Sequence, residues 1–109
     1  MRLTVKTSCG VSSLTADEIH WVDAAGNYVR LNTQNGESHI LRETLTALEK
    51  RLDPKRFVRI HRSTIVNVER IREIRARSHG EYLIIMEMGQ RLTLSRGYRD
   101  RVHNLILRV

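Results

Sequence analysis

The sequence is poor in the residues that cross-link or interrupt small domains. It has one cysteine, Cys9, and one proline, Pro54, in 109 residues. A single cysteine excludes an internal disulfide and a zinc cluster built on cysteines. No apolar run approaches the roughly 20 residues that cross a bilayer, and the N-terminal residues lack the apolar segment of a secretory signal. We therefore expect one domain over 1–109, in the cytoplasm and without a membrane partner.

Patterns typical of catalysis or metal binding are also missing. The five histidines show none of the spacings found in zinc enzymes, and the acidic residues are scattered singly. Ser95 lacks the flanking glycines of a nucleophile elbow, and Cys9 is interpreted as an inert thiol. His20 and His39 fall in predicted strands and are expected to be surface or half-buried structural residues. We expect no enzyme, no cofactor and no metal.

What the chain does have is an uneven positive charge. The net charge is +7, and residues 1–50 contribute −1 while residues 51–109 contribute +8. Sixteen of the nineteen basic residues are arginines. A guanidinium is a planar fork that grips a phosphate or the edge of guanine at two points. Charge alone leaves two interpretations open, which are a solvated basic surface and a nucleic-acid partner.

Apolar residues recur mostly with a period of two, which indicates strands. The connections are too short for parallel crossovers, so antiparallel pairing is expected. The pattern predicts eight to ten short strands, and therefore a mainly β fold. The segments with this pattern are Leu3–Val5, Ile19–Val22, Val29–Leu31, Ser38–Leu41, Phe57–Ile60, Ile65–Val68, Ile71–Arg77, Tyr82–Met86 and Arg91–Leu94.

Two helices are predicted among the strands. Leu45, Leu48 and Leu52 form one apolar stripe of a mid-chain helix that ends before Pro54. A C-terminal helix follows Ser95, whose hydroxyl is expected to cap it, and its apolar face carries Tyr98, Val102, Leu105 and Ile106. No pair of adjacent helices has the short turn of a helix-turn-helix. If the chain binds DNA, segments other than a recognition helix must enter the groove.

The turns between strands have signals of their own. Asn35-Gly36 favours a two-residue type I′ hairpin turn. Gly26-Asn27, Ser78-His79-Gly80 and Met88-Gly89 are predicted to be further turns, since glycine and asparagine tolerate positive φ.

Three turn-bounded clusters combine Arg or Asn, which contact base edges, with Ser, His or Tyr, which suit phosphate oxygens. Alternatives remain open: Arg62 and Arg96 could form salt bridges or simply face solvent, Asn27 could be a turn residue, and His61 could be a buried residue that positions its loop. The clusters are Asn27-Tyr28, Arg59-Ile60-His61-Arg62-Ser63 and Ser95-Arg96-Gly97-Tyr98-Arg99.

These clusters lie within four ordered motifs that together resemble the LytTR family of DNA-binding domains. Each motif alone is a weak signal, but the ordered set, which covers about residues 18–106, is specific. The motifs are Gly26-Asn27-Tyr28-Val29, then Arg42-Glu43-Thr44-Leu45 with Glu49, then Phe57-Val58-Arg59-Ile60-His61-Arg62-Ser63-Thr64-Ile65-Val66-Asn67, and finally Ser95-Arg96-Gly97-Tyr98.

The resemblance implies an elongated arrangement of antiparallel sheets whose loops enter successive major grooves of double-stranded DNA to regulate transcription. It implies base reading by Asn27, Arg62 and Arg96, one from each loop. Contacts to the DNA backbone, or support of the loops, are implied for a second set of matching residues, which are Tyr28, Arg59, His61, Ser63 and Arg99.

The partners of such a domain follow from the same resemblance. Members commonly carry a receiver or a membrane segment before the DNA-binding domain, so we expect either a separated output domain or a free-standing regulator. Members also often act at paired sites, which would bring a second copy. The alternative function is a basic β-domain that binds RNA or an acidic protein. RNA-binding sheets stack bases on exposed aromatic residues, and aromatic residues are only 5% of this chain and are scattered.

Overall fold

The computed structural model describes residues 2–7, 10–34 and 36–106. Over these residues the fold is mainly β, with antiparallel sheets and two α-helices, as predicted. The strands are β1 Arg2–Thr7, β2 Gly10–Thr15, β3 Ile19–Ala25, β4 Tyr28–Thr33, β5 Ser38–Leu41, β6 Phe57–His61, β7 Thr64–Asn67, β8 Ile71–Ala76, β9 Tyr82–Met86 and β10 Arg91–Leu94, and the helices are α1 Leu45–Arg51 and α2 Arg99–Ile106.

The strands form three antiparallel sheets in an elongated molecule. The largest has five strands in the order β5-β4-β3-β7-β6, the second has the order β10-β9-β8, and β1 pairs with β2. The principal extents are 44 × 24 × 21 Å. The sequence pattern missed β2, and Cys9, which precedes it, lies outside the described residues. Within the described ranges, neither helix has the length and apolar character needed to cross a bilayer.

Apolar residues on the two faces of the central strands contribute to two separate hydrophobic cores. Successive residues of a strand point to opposite faces, and β7 shows this with Ile65 in one core and Val66 in the other. The first core packs β1 and α1 against the five-stranded sheet. The second core joins β6 and β7 to the three-stranded sheet and to Val102 of α2. The five-stranded sheet is therefore the middle layer, which fixes the loops at its ends.

Helix α1 has the predicted stripe and the predicted end. Leu45, Leu48 and Leu52 are buried, and the helix ends at Arg51, with Leu52 as its C-cap, two residues before Pro54. The Thr44 side chain caps its start by accepting a hydrogen bond from the amide of Ala47 at 3.1 Å.

Two predicted details of turns and caps are wrong. The β4–β5 hairpin closes through a hydrogen bond from Thr33 N to Glu37 O of 2.9 Å, so three residues, 34–36, lie between the bonded residues instead of the predicted two. A further bond runs from Gly36 N to Thr33 O at 3.2 Å, and Gly36 has φ +75°. Asn35 itself lies outside the described residues. The Ser95 side chain makes no capping bond; its carbonyl oxygen accepts from Tyr98 N at 3.0 Å.

His20 is buried, contrary to the expectation of a surface or half-buried residue. Only 3% of its surface is exposed, and neither ring nitrogen has a hydrogen-bond partner among the described residues. Burial, together with the positive charge of Arg70, lowers the pKa of His20 from its usual 6.5. The alternating pattern did not reveal this, because both β3 neighbours of His20, Ile19 and Trp21, also face packed layers. His39 is half-buried, within the expected range.

Candidate nucleic-acid interface

The turns that carry Asn27 and Arg62 leave the five-stranded sheet at the same end. Strand β3 pairs with β7, with Asp23 opposite Thr64, and the amide of Ala24 donates to the carbonyl oxygen of Ser63 at 2.9 Å. This bond ties the strand that enters the β3–β4 turn to the β6–β7 turn. The tertiary structure therefore brings together two of the three clusters that the sequence singled out.

Asn27 occupies an exposed two-residue turn between the paired residues Ala25 and Tyr28. The positive φ of this turn, +64°, belongs to Gly26 and not to Asn27. Glycine alone therefore meets the conformational demand of the turn, and asparagine is not required for it. Tyr28, the next residue in the chain, is 46% exposed.

An open groove of about 320 Å³ separates the two turns. Its polar side chains come from β6, from the β6–β7 turn, which includes Arg62, and from the start of α1, while the β3–β4 side contributes only Ala24 and Gly26. The lining residues are Ala24, Gly26, Thr44, Leu45, Thr46, Arg59, Arg62 and Ser63.

The β6–β7 turn is held in shape by its own side chains. His61 Nδ1 lies 2.9 Å from Ser63 Oγ, and the amide of Ser63 donates to the same nitrogen at 3.2 Å. Nδ1 is therefore the acceptor that ties the His61 ring to the backbone of the turn. Because His61 and Ser63 face each other, Arg62 between them is exposed.

Arg59 lies behind this turn, where it connects three parts of the fold. Its Nη1 donates to Thr46 Oγ1 at 2.9 Å and lies 3.3 Å from Glu49 Oε1, both on α1. Its Nη2 donates to the carbonyl oxygen of Arg62. Its guanidinium also lies 5.9 Å from the centre of the Tyr98 ring. Only 13% of the side chain is exposed, so its donors are directed at the protein, and the structure uses Arg59 to support the loop.

The third cluster adjoins the same turn through β6. The amide of Ser95 donates to the carbonyl oxygen of Ile60 at 2.8 Å. Arg96 follows in an exposed 3-10 turn, Arg96–Tyr98, that leads directly into α2. Tyr98 lies between Arg59 and Arg101, whose guanidinium is 4.9 Å from the ring centre. Arg96 thus directly follows Ser95, whose amide is bonded to β6. Arg99 is half-buried and is the first residue of α2.

Ion pairing divides the arginines into two groups. Over the described ranges, Arg62, Arg96 and Arg99 form no ion pair, and Arg62 and Arg96 are exposed. Three unpaired cations on neighbouring segments leave a positive field that an anion would neutralise. The described arginines that do form ion pairs are Arg30, Arg51, Arg56, Arg59, Arg70, Arg75 and Arg101.

The sequence analysis assigned no role to Arg42 or Glu49, which both lie near the three clusters. Arg42 follows Leu41, which pairs with Val29, and its guanidinium lies 5.9 Å from the centre of the exposed Tyr28 ring. Its place in a matching motif was a signal, but the motif gave no indication of the contact with Tyr28. Glu49 was seen only as a motif position; its carboxylate approaches Arg59 and also Arg101, at 3.9 Å.

Comparisons with known proteins agree on one family. The sequence model of the family described as LytTr DNA-binding domain matches residues 10–107 of this chain. The sensory transduction protein LytT of Bacillus subtilis (strain 168) is 32% identical over 101 residues, which are 91% of this chain and 42% of that protein. The transcriptional regulatory protein LytR of Staphylococcus aureus (strain N315) is 32% identical over 90 residues, covering 75% of this chain and 36% of that protein.

A solved structure gives the same result at the level of the fold. The LytTr DNA-binding domain of a Bacillus cereus protein described as a methyl-accepting/DNA response regulator superposes with a TM-score of 0.87 and 27% identity, over 95% of this chain and 94% of that one. The chain spans less than half the length of the curated relatives it matches. The family match over nearly all of the sequence, with the same fold, shows that this chain belongs to the LytTr DNA-binding domain family.

Proposed function

We propose that this chain binds double-stranded DNA sequence-specifically and thereby regulates transcription, with its loops entering successive major grooves. The observation that carries the proposal is the linked set of exposed loops around β6. They combine arginines that form no ion pair with any described residue and an asparagine that its turn does not require. The molecule is 44 Å long, and one turn of B-DNA is about 34–36 Å. The domain is therefore long enough to reach from one major groove to the next.

Within this proposal, base edges are read by Asn27, Arg62 and Arg96. An arginine pairs bidentately with guanine and an asparagine with adenine. Arg99, Tyr28 and the polar groups of His61 and Ser63 would meet phosphates or hold the loops, and Arg59 would act from behind as support. Unpaired cations would release counterions from the duplex, so affinity falls as salt rises. A rigid elongated domain cannot follow a straight helix far, so a deformable or bent site is favoured.

The partners of the whole protein are part of the same proposal. A receiver or sensor domain would supply the signal, and a second copy would occupy a paired half-site. Such a regulator would act in the cytoplasm, where the chromosome of a bacterium lies.

The experiment is a selection of sites from random duplex pools, followed by binding of the selected and a random duplex at several salt concentrations. Arg62→Ala should relax specificity at one or two base positions, with each lost bidentate contact removing about 1–3 kcal/mol of discrimination. Arg99→Ala should weaken both duplexes alike.

Arg75→Ala is the charge-matched control, since Arg75 is an exposed arginine whose charge is already paired with Glu73. It should leave specificity unchanged. If Arg62→Ala and Arg99→Ala both weakened selected and random DNA equally, the base-reading role of Arg62 would be wrong. If the domain bound no duplex more tightly than random DNA, the proposed function itself would fail.

A further inference from the structure

The connection between β8 and β9, residues 77–81, leaves its sheet beside the Arg96 segment. Tyr82 at the start of β9 pairs with Ala76 on one side and with Leu94 on the other. The chain after Ala76 and the chain after Leu94 therefore leave the three-stranded sheet at the same end. The motifs in the sequence gave no role to this connection.

Gly80 brings the connection into contact with the arginines of that segment. A Cβ atom built on Gly80 would lie 3.3 Å from Arg99 Nη1 and 3.5 Å from Arg96 Cγ. Gly80 also has φ +79°, which L side chains rarely adopt. The missing side chain lets both arginines lie over the connection, so the two segments form one surface.

This surface gathers positive charge with little to oppose it. Arg77 is exposed, and so are Ser78 and His79. Arg77, Arg96 and Arg99 form no ion pair with any described residue. Glu81, whose carbonyl oxygen accepts a hydrogen bond from Arg77 N, forms none with the described residues either. Three arginines face one acid, Glu81, on these two segments, so an excess of positive charge remains that attracts a phosphate.

The backbone of the connection is held in an unusual conformation. His79 has φ +63° and ψ +26°, and it is the one non-glycine residue with positive φ among those described. Sparsely populated conformations of this kind cluster at binding sites, where the surroundings enforce them. His79 is exposed, as are Arg77 and Ser78 before it in the chain.

From this arrangement we infer that the β8–β9 connection is a fourth DNA-contacting segment, which binds the sugar–phosphate backbone beside the groove that the Arg96 segment enters. Arg77 supplies the charge, and Ser78 and His79 supply neutral donors to phosphate oxygens. The inference rests on the proposed function, since it needs the duplex to lie against Arg96. Because phosphate contacts carry no sequence information, the connection contributes affinity and register but not base preference.

Arg77→Ala tests this inference by its effect on affinity and salt dependence. The variant should bind the selected and the random duplex about 3- to 10-fold more weakly, with the salt slope reduced by about one and the base preference unchanged. The matched control is Arg91→Ala. Arg91 is an exposed arginine, also outside the ion pairs of the described residues, at the opposite end of the same sheet. This control should keep the wild-type affinity and slope.

Phosphate ethylation interference gives a second, independent readout. Ethylation removes the charge of single phosphates. At one or more phosphates, ethylation should weaken binding of the wild type but not of Arg77→Ala. These phosphates should be adjacent to the ones at which Arg99→Ala loses the same sensitivity. Loss of this one position, with the rest of the pattern unchanged, would support the fourth contact.

The outcomes separate the two proposals. If Arg77→Ala behaves like Arg91→Ala while Arg62→Ala and Arg96→Ala still impair binding, the fourth contact is wrong and the proposed function stands. If Arg62→Ala and Arg96→Ala are also without effect on a duplex that the wild type prefers, the assigned interface is wrong, and the β8–β9 contact falls with it.

Discussion

The side chain of Asn67 donates a hydrogen bond from Nδ2 to the carbonyl oxygen of Ile19 at 3.0 Å, across 48 residues of sequence. Its Oδ1 accepts from the amide of Glu69 at 3.1 Å, and Asn67 is fully buried. One asparagine therefore satisfies backbone groups at the start of β3 and in the 3-10 turn after β7. This arrangement fixes where the two central strands of the large sheet begin and end.

Asn67→Ala should accordingly destabilise the fold. It leaves the Ile19 carbonyl and the Glu69 amide without these partners, which costs about 1–3 kcal/mol. Urea denaturation would measure the change. Asn27→Ala is the control, because Asn27 lies in an exposed turn and its loss should change the free energy of unfolding by less than about 0.5 kcal/mol. Equal stabilities of the two variants would contradict the role of Asn67.

Arg59→Lys should weaken specific DNA binding although the charge is kept. A lysine cannot reach Thr46, Glu49 and the Arg62 carbonyl at once, as the guanidinium does. We expect about a fivefold loss of affinity for the selected duplex, or roughly 1 kcal/mol, through a looser β6–β7 turn.

The matched control for this change is Arg51→Lys, at an exposed arginine with a single partner, Glu43. It should leave binding unchanged. Unaltered affinity in Arg59→Lys, measured by fluorescence anisotropy on the selected duplex, would show that the turn does not depend on the guanidinium.

Arg42→Ala should lower the affinity for every duplex. Arg42 lies by the exposed Tyr28 ring at the edge of the β3–β4 turn, where its charge would meet a phosphate. Its loss should reduce the salt slope by about one without changing base preference. Arg72→Ala removes an exposed charge from β8 and should have no such effect. A change in base preference in Arg42→Ala would instead indicate that Arg42 reads a base.

His20 should make the stability of the domain depend on pH below neutrality. Burial lowers its pKa from 6.5 in the folded state, so the unfolded chain binds a proton that the folded chain does not. Stability is therefore complete above pH 6.5 and falls as the pH drops from 6.5 towards the folded-state pKa. The carboxyls of Asp17 and Glu73, whose pKa values are lowered by Arg56 and Arg75, add a separate loss at more acidic pH.

Denaturation midpoints between pH 7.5 and pH 5 would measure the contribution of His20. His20→Leu should flatten the curve over this range, whereas His79→Asn, at an exposed histidine, should keep the wild-type slope. Parallel curves for the wild type and His20→Leu would exclude His20 as the source.

Much of the architecture could be predicted from local patterns. Period-two alternation identified the strands from β3 to β10, and the stripe Leu45, Leu48 and Leu52 identified α1. Both patterns are visible because an element that buries one face has apolar residues at the spacing of its own geometry. Details that depend on backbone hydrogen bonds were less accessible. Residue preferences predicted a two-residue turn at Asn35-Gly36 and a capping bond from the Ser95 side chain. The structure instead has a three-residue loop at 34–36, and the Ser95 side chain makes no capping bond.

The sequence by itself determined the strand pattern, the excess of arginine in the second half and the ordered motifs that mark the family. Only the tertiary structure decided what each arginine does, because that depends on neighbours that are distant in the chain. Arg59 and Arg62 stand three residues apart, yet one is directed at α1 and Tyr98 while the other is exposed. Likewise, the pairing of Tyr82 with both Ala76 and Leu94 brought Gly80 against Arg96, since antiparallel register joins segments that no local pattern relates.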